Sequence, residues 1–348
     1  MKIRRSLFAI VATAGMAQAQ VPADIASQLR ALGTGVCVAE TAKIYKPLQQ
    51  QAPYAGVTVV RDIAYGTDPR MIMDVFAPEK GGGNRPVLIF VSGGQGNKVE
   101  PPPDGDAFYD NVMLWALKNG MTGVNMQRRG GLNGGGLAWD EPARDVGLVV
   151  EWVRTNIKKY KGNPNRIFLW SSSAGNGPVS TYASHPEISG ANAAAIKGII
   201  LMSAPNFNIL PETGARPAGT PAATPLAGLG TNCGRPPAAP RGAGGGGGGA
   251  PRGGGAPPAA VDPATQLARS NLPGLAKGKT SVFLAWGELD PPNIISFDEA
   301  LKDALCKAGR CPTAVAFKDH SHMSLVFSPN TADTSVTAPI LKWMKGVK

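Results

Sequence analysis

Six short strand-like runs, of which residues 86–91 are the most continuously apolar, alternate with helical segments, and they constrain the fold of this chain more than any other feature. Apolar residues at successive positions are typical of strands that are buried on both faces of a sheet. When such strands alternate with helices, the helices cover both faces of a mainly parallel sheet. The runs cover residues 86–91, 121–126, 166–170, 198–202, 280–286 and 313–317.

Two further runs come before these six, at residues 57–64 and 71–76, with the turn sequence Gly-Thr-Asp-Pro between them. Short alternating runs joined by turn residues predict an antiparallel pair. The chain therefore predicts an α/β protein with an eight-stranded, mostly parallel sheet flanked by helices. We expect the main helices at about 106–118, 140–160, 294–308 and 335–345.

The helix predicted at 140–160 has the clearest signals. Asp140 is placed to cap its first turn, and Pro142 lies where a missing N–H costs nothing. Its apolar residues recur at steps of three and four, which gives the helix one buried face. They are Val146, Val149, Val150, Val153 and Ile157.

Residues 211–262 interrupt the alternation of strands and helices. Pro, Gly and Ala dominate this segment, and residues 244–249 are six consecutive glycines. A segment of this composition cannot bury enough apolar surface to offset the entropy of ordering it. We therefore expect a disordered insertion within one domain, residues 20–348.

The first nineteen residues have the pattern of a signal peptide. Lys2, Arg4 and Arg5 precede an apolar stretch that is too short to span a bilayer, and residues 17–19 read Ala-Gln-Ala. The chain is therefore expected to be exported, to the periplasm or outside the cell, without a membrane span. Removing these three cations takes the formal charge from +11 to +8 (11 − 3). Because Lys and Arg are scattered, no nucleic-acid partner is expected.

Four cysteines fit an oxidising compartment. Cys306 and Cys311 lie five positions apart around a plausible turn, so we expect them to pair, which leaves Cys37 with Cys233. The alternative is free, buried thiols. Their spacing is unlike that of zinc ligands, and we expect neither a metal nor a cofactor.

Three adjacent serines follow one of the apolar runs. A nucleophile on the tight turn between a strand and a helix needs small residues two positions before and after it. Ser173 meets this condition with Ser171 and Gly175, whereas Ser172 would have the bulky Trp170. The pattern predicts Ser173 as the nucleophile, although on its own it also fits an ordinary serine-rich turn.

A serine nucleophile needs a base, and the chain has only three histidines. His185 lies far from any predicted strand end, whereas His320 and His322 directly follow the last strand. In this order of elements the acid comes between the serine and the histidine. Asp290 and Glu288, after the preceding strand, are the two possibilities, and we favour Asp290.

Charge that develops on a carbonyl oxygen during acyl transfer needs preorganised N–H donors. We expect one from Ala174, next to the nucleophile, and others from Gly93 and Gly94, which follow the strand at 86–91. Without Ser173, the two glycines would indicate only a turn.

Five motifs in this chain resemble those of bacterial carboxylesterases and hormone-sensitive-lipase-like esterases, two branches of the α/β-hydrolases. The resemblance covers most of residues 57–345 outside the insertion. It implies that residues 20–348 form the catalytic domain and that the insertion at 211–262 lies where this fold often carries a cap over the site. It implies the α/β-hydrolase fold, ester hydrolysis by Ser173, Asp290 and His322, and a preference for His322 over His320. The motifs are Ser92-Gly93-Gly94, Asp145 with Trp152-Val153, Asn163 to Ile167, Gly287 to Asp290, and Ser321 to Ser324.

Two residues depart from the family pattern. Ser92 stands where the family has His, and Ser171 stands where it usually has Gly. Neither removes a member of the triad. The sequence therefore predicts a serine carboxylesterase that acts on a small-molecule ester. The alternatives are a peptidase, amidase or acyltransferase with the same triad, and an inactive binding protein on the same fold.

Overall fold

The computed structural model describes residues 20–99, 108–130, 136–205, 207, 233 and 262–348. Its centre is one sheet of eight strands in the order β1-β2-β4-β3-β5-β6-β7-β8. The strands are β1 (Val57–Ala64), β2 (Ile72–Pro78), β3 (Arg85–Val91), β4 (Thr122–Met126), β5 (Gly162–Ser172), β6 (Ile196–Met202), β7 (Ser281–Gly287) and β8 (Thr313–Phe317).

β2 pairs antiparallel with both β1 and β4, and every later pairing is parallel. The prediction of an eight-stranded, mostly parallel sheet is confirmed. Because β3 to β8 run the same way, the loops that follow them meet at one edge of the sheet. The residues predicted for catalysis follow β3, β5, β7 and β8, so they share this edge.

Helices cover both faces of the sheet. Within the described ranges, none combines the length and apolarity needed to cross a bilayer. The helices are α1 (Ala23–Leu32), α2 (Val38–Tyr45), α3 (Asp110–Lys118), α4 (Glu141–Asn156), α5 (Asn176–Ser184), α6 (Pro186–Ser189), α7 (Pro263–Ala268), α8 (Leu272–Lys277), α9 (Pro292–Lys307), α10 (Ser324–Phe327) and α11 (Thr337–Gly346).

The continuous apolar runs arise because both faces of each central strand are buried. In β3, Leu88 and Phe90 join the core beside α1, α2, α3 and α11, whereas Ile89 and Val91 join the core beside α4, α5, α8 and α9. Burying one side chain of this size stabilises the fold by roughly 1.5–3 kcal/mol. The two cores therefore hold the strand ends, and the loops on them, in fixed positions.

Three local predictions differ from the structure. α4 ends at Asn156, and residues 157–160 form a tighter 3₁₀ turn. β5 begins at Gly162, because Gly162 already pairs with Arg85 before a register shift. Asp140 precedes α4 as predicted, but its side chain does not cap the helix. Its Oδ2 instead accepts a hydrogen bond from Nε of Arg144 at 2.7 Å.

Both expected cysteine pairs are present. Cys306 and Cys311 are bonded, with Cα atoms 4.0 Å apart, and Cys37 is bonded to Cys233, with Cα atoms 5.6 Å apart. Apart from Cys233 and Asp262, the predicted insertion at 211–262 lies outside the described residues. The predicted signal peptide at 1–19 also lies outside them.

Candidate active site

Ser173 lies on a sharp turn between β5 and α5. Its φ of 51° is in the left-handed region, which residues other than glycine seldom adopt. A side chain on Gly175 would collide with the backbone carbonyls of Val91 and Ser92, because the turn before α5 packs directly on the end of β3. A small residue is therefore required there, as the sequence pattern predicted for a nucleophile turn.

Asn176, the first residue of α5, braces this turn. Its Nδ2 donates to the carbonyl oxygens of Ser173 at 2.8 Å and Met202 at 2.6 Å, and its Oδ1 accepts from the backbone N–H of Met202. Ser171 is fully buried, and its hydroxyl lies 2.7 Å from Oδ1 of Asn176 and 3.1 Å from the carbonyl of Ile200. A serine fits at this position, in place of the family's glycine, because its hydroxyl joins the same network.

The structure brings Asp290 and His322 together although 32 positions separate them in the sequence. Asp290 follows β7, His322 follows β8, and Nδ1 of the imidazole lies 2.7 Å from Oδ1 of the carboxylate. Both side chains are buried. Two further donors reach the second carboxylate oxygen, the hydroxyl of Ser203 at 2.6 Å and the backbone N–H of Gly287 at 2.7 Å.

These contacts fix the tautomer of His322. A carboxylate oxygen accepts hydrogen bonds, so Nδ1 donates to Asp290, and Nε2 is the ring nitrogen that remains to act as a base. Nε2 is buried and makes no hydrogen bond within the described residues, so none joins it to Ser173. Such contacts are often long before a substrate binds.

The two alternatives that the sequence left open lie in different surroundings. Glu288 is exposed, and its Oε2 accepts from the backbone N–H of Asp319 at 2.9 Å. His320 is fully buried, with Nδ1 2.9 Å from the hydroxyl of Ser324 and Nε2 2.6 Å from that of Ser335. Both ring nitrogens of His320 are thus occupied.

The contacts of His320 extend into a buried chain that reaches α2. The hydroxyl of Ser335 donates to Oδ1 of Asp333 at 2.5 Å, and the phenol of Tyr45 donates to Oδ2 at 2.9 Å. Because Ser335 uses its proton on Asp333, Nε2 of His320 is the donor to Ser335. Burial lowers the pKa of His320 to about 4, although the nearby Asp333 carboxylate favours its protonation. The ring is therefore neutral at ordinary pH and holds the loop that carries His322.

Gly93 lies directly against Ser173. A Cβ added to Gly93 would be 2.6 Å from Cβ of Ser173 and 3.0 Å from the carbonyl oxygen of Ser172, which leaves room for glycine alone. Gly94 follows with a φ of 50°. Ser92, which replaces the family's histidine, is buried and donates its hydroxyl to the carbonyl of Asn97 at 2.6 Å. The loop that contains both predicted glycine donors therefore contacts the nucleophile turn through Gly93.

A second buried carboxyl lies near the acid. Asp298, on α9, is fully buried and accepts from the backbone N–H of Ala204 at 3.2 Å. Burial raises its pKa well above the ordinary value, and the charge of Asp290 raises it further. Asp298 therefore keeps its proton to a higher pH than an exposed aspartate does.

Sequence reasoning missed three groups at this edge: Asn176, Ser203 and Asp298. Ser203 directly follows β6, between the strands that carry Ser173 and Asp290, and its φ of 52° marks another sharp turn. Its place at a strand end was the available signal. Nothing in the local sequence distinguishes Asn176 or Asp298 from ordinary helix residues.

Comparisons find that this chain is similar to one family model and to known proteins. The BD-FAE family model matches residues 73–185, a stretch that holds the Gly93 loop and Ser173. The chain is 32% identical over 173 residues to Secreted lipase 5 of Gibberella zeae, across 42% of this chain and 32% of that protein. It is 28% identical over 124 residues to isoprenylcysteine alpha-carbonyl methylesterase ICME of Arabidopsis thaliana, across 34% of this chain and 26% of that protein. The matches thus span about a third or less of these relatives.

Among solved structures, esterase B from Lactobacillus rhamnosis (HN001) superposes with a TM-score of 0.59 over 88% of this chain and 90% of that chain, at 12% identity. At 12% identity, this similarity is evidence for the fold alone. With the sheet order, it shows that this chain has the α/β-hydrolase fold. In sequence, the chain is similar to a lipase and a methylesterase.

Proposed function

We propose that this protein is a serine carboxylesterase, which hydrolyses carboxylic esters through an acyl-enzyme on Ser173. The observation that carries the proposal is the buried pair of His322 and Asp290, at the same sheet edge as the strained Ser173. The loop of Gly93 lies against that serine. The similarity to lipases and esterases favours an ester as substrate.

In the first half-reaction, Nε2 of His322 takes the proton of the Ser173 hydroxyl as Oγ attacks the ester carbonyl carbon. The carbonyl electrons move onto oxygen, and N–H groups of Gly93, Gly94 and Ala174 stabilise that charge. Asp290 stabilises the imidazolium without taking its proton. When the tetrahedral intermediate collapses, the C–O bond breaks and the imidazolium protonates the departing alcohol.

In the second half-reaction, water replaces the alcohol. His322 removes a proton from the water, whose oxygen attacks the acyl carbon. Collapse of this second intermediate releases the carboxylic acid and returns the proton to Oγ of Ser173. No redox step is involved, and each proton that His322 takes is given back within the cycle.

The test is steady-state hydrolysis of p-nitrophenyl acetate and butyrate, beside the matching p-nitroanilides. We expect hydrolysis of the esters, and a loss of activity to background in Ser173→Ala. Replacing His322 with Gln should lower kcat by about 10²–10⁴-fold, because the general base is lost. His185→Gln is the matched control, since the ring of His185 contacts Glu187 and lies away from the strand ends.

Two results would contradict the proposal: ester hydrolysis that survives in Ser173→Ala, or a loss in His185→Gln as large as that in His322→Gln. Faster cleavage of the anilides than of the esters would favour an amidase or peptidase with the same triad. Acyl transfer to an added alcohol in preference to water would favour an acyltransferase.

We also propose that the protein acts outside the cytoplasm. Two disulfide bonds support this proposal, because such bonds persist in oxidising compartments. The signal pattern in residues 1–19 points the same way. Mass spectrometry of the protein recovered from its native host would test it, with Gln20 as the expected first residue.

A further inference from the structure

The loop that follows β3, residues 92–98, is held almost entirely by its carbonyl groups. Six successive carbonyl oxygens, from residue 93 to residue 98, each accept a hydrogen bond. The donors are, in order, the N–H of Gly96 (2.8 Å), Nη2 of Arg128 (3.3 Å), Nη2 of Arg70 (2.8 Å), the N–H of Arg128 (2.9 Å), the hydroxyl of Ser92 (2.6 Å) and Nδ2 of Asn125 (2.5 Å).

Fixing the carbonyls of this loop also fixes its amides. A peptide unit is planar and trans, so the N–H of each residue points away from the carbonyl of the residue before it. The bound carbonyl of Gly93 therefore sets the direction of the Gly94 N–H. The carbonyl of Gly94, bound by Arg128, sets that of the Gln95 N–H in the same way.

Two arginines supply the side-chain donors to the middle of the loop. Arg128 follows β4 and is 1% exposed, and its backbone and side chain both reach the loop. Arg70 is half-buried and contacts the carbonyls of Gln95 and Arg128 as well as Oδ1 of Asn97. It thereby supports both the loop and the other arginine.

Both guanidinium groups remain charged at ordinary pH. Burial, and then the neighbouring charge of Arg70, lower the pKa of Arg128 to about 10, which is still far above neutrality. Hydrogen bonds from charged donors are roughly twice as strong as those between neutral groups. Both cations bind the loop through its carbonyl oxygens, so they bring positive charge close to the loop, and this charge favours negative charge on the substrate oxygen.

We propose that Arg128 and Arg70 are positioning residues for the oxyanion loop, and this inference rests on the proposed esterase function. They hold the carbonyls of residues 94–96. The bond of Arg70 to the carbonyl of Gln95 also sets the direction of the Gly96 N–H, which binds the carbonyl of Gly93, so that the Gly94 N–H is aligned before the tetrahedral intermediate forms. Their contribution is to the transition state and not to the binding of the ester.

The test compares Arg128→Met, Arg128→Lys and Arg70→Met with Arg85→Met. Arg85 is the matched control, because it also donates to two backbone carbonyls, those of Leu117 and Met121, but at the opposite end of β3. Each variant is assayed for kcat and KM on p-nitrophenyl butyrate. Inhibition by an aryl trifluoromethyl ketone is measured in parallel, because its adduct with Ser173 carries an oxyanion. Thermal unfolding reports stability.

We expect Arg128→Met to lower kcat by about 10- to 100-fold, in line with the cost of displacing a reacting group by about 1 Å. KM should stay within about twofold, and inhibition by the ketone should weaken by the same factor as kcat. The kcat of Arg128→Lys should lie between that of Arg128→Met and that of the wild type. Arg85→Met should keep both kcat and the inhibition constant, even where its unfolding temperature falls.

Unchanged kcat in a folded Arg128→Met variant would overturn the inference and leave the esterase proposal standing. An equal loss of kcat in Arg85→Met would do the same, because the effect would then be one of stability. Arg70→Met decides the matter if Arg128→Met does not fold, since Arg70 is half-buried. A wild-type protein that neither hydrolyses the ester nor binds the ketone would overturn both proposals.

Discussion

Replacing Gly93 with Ala tests how the oxyanion loop fits against the nucleophile. The added Cβ would lie 2.6 Å from Cβ of Ser173, 3.0 Å from the carbonyl oxygen of Ser172 and 3.3 Å from Oγ of Ser173. Carbon atoms in contact normally lie about 3.5–4.0 Å apart. The loop and the nucleophile turn must therefore separate by about 1 Å. Both are anchored by the buried strands β3 and β5, so neither can move freely.

A displacement of about 1 Å at a reacting centre costs roughly 10²-fold in rate. We therefore expect Gly93→Ala to lower kcat for p-nitrophenyl butyrate by about 100-fold, or about 2.7 kcal/mol in the activation free energy. KM should change little, because the distance between the oxyanion donors and the carbonyl oxygen matters most in the transition state. Stopped-flow measurement of the acylation burst should show the same loss.

The matched control is Gly177→Ala, on α5 just beyond the nucleophile turn. An added Cβ there meets nothing within 4 Å, so kcat should stay within about twofold. Alanine is also the better helix former, by about 1 kcal/mol at most, so the variant should be no less stable. A folded Gly93→Ala variant with the kcat of the wild type would refute the assignment of this loop to the oxyanion.

Three further predictions concern buried polar groups around the site. Tyr45→Phe removes a donor from the buried carboxylate of Asp333, so urea denaturation should show a free energy of unfolding that is lower by about 1.5–3 kcal/mol. An unchanged urea midpoint would count against the chain of contacts from His320 to Tyr45. Asp298→Asn should raise the free energy of unfolding at pH 7, because the pKa of Asp298 is raised in the folded state and ionisation favours the unfolded chain. This gain in stability should vanish towards pH 4. A lower free energy of unfolding at pH 7 would contradict the prediction. The pKa of His320 is about 4 in the folded protein, below its ordinary value of 6.5. Between pH 4 and pH 6.5, His320 is therefore protonated in the unfolded chain and neutral in the folded protein. Stability should fall by up to about 1.4 kcal/mol per pH unit as pH drops from 6.5 to 4, and His320→Gln should show a shallower fall in parallel unfolding experiments.

Much of the fold could be predicted because burial leaves a local signature. Strands covered on both faces tend to be apolar at successive positions, and this signal was clearest at residues 86–91. The parallel order then placed Ser173, Asp290 and His322 at one edge before any contact was known. The scarcity of histidine narrowed the choice of base to residues 320 and 322.

The bracing of the site could not be predicted, because it depends on contacts between distant parts of the chain. Tyr45 and Asp333 meet across 288 positions, and no local pattern marks either as half of a pair. The same holds for Arg128, whose sequence context indicates only the end of a strand. Ser171 and Ser92 looked like departures from the family, and only the positions of Asn176 and Asn97 explain why serine fits.

The most direct test of Ser173 as the activated nucleophile is labelling with a fluorophosphonate, followed by mapping of the modified peptide. The reagent bonds covalently to a serine oxygen only where a neighbouring base activates it. We predict one adduct, on Ser173, that is absent in Ser173→Ala and forms far more slowly in His322→Gln. No adduct on the folded wild-type protein, or an adduct that persists on another serine in Ser173→Ala, would contradict it.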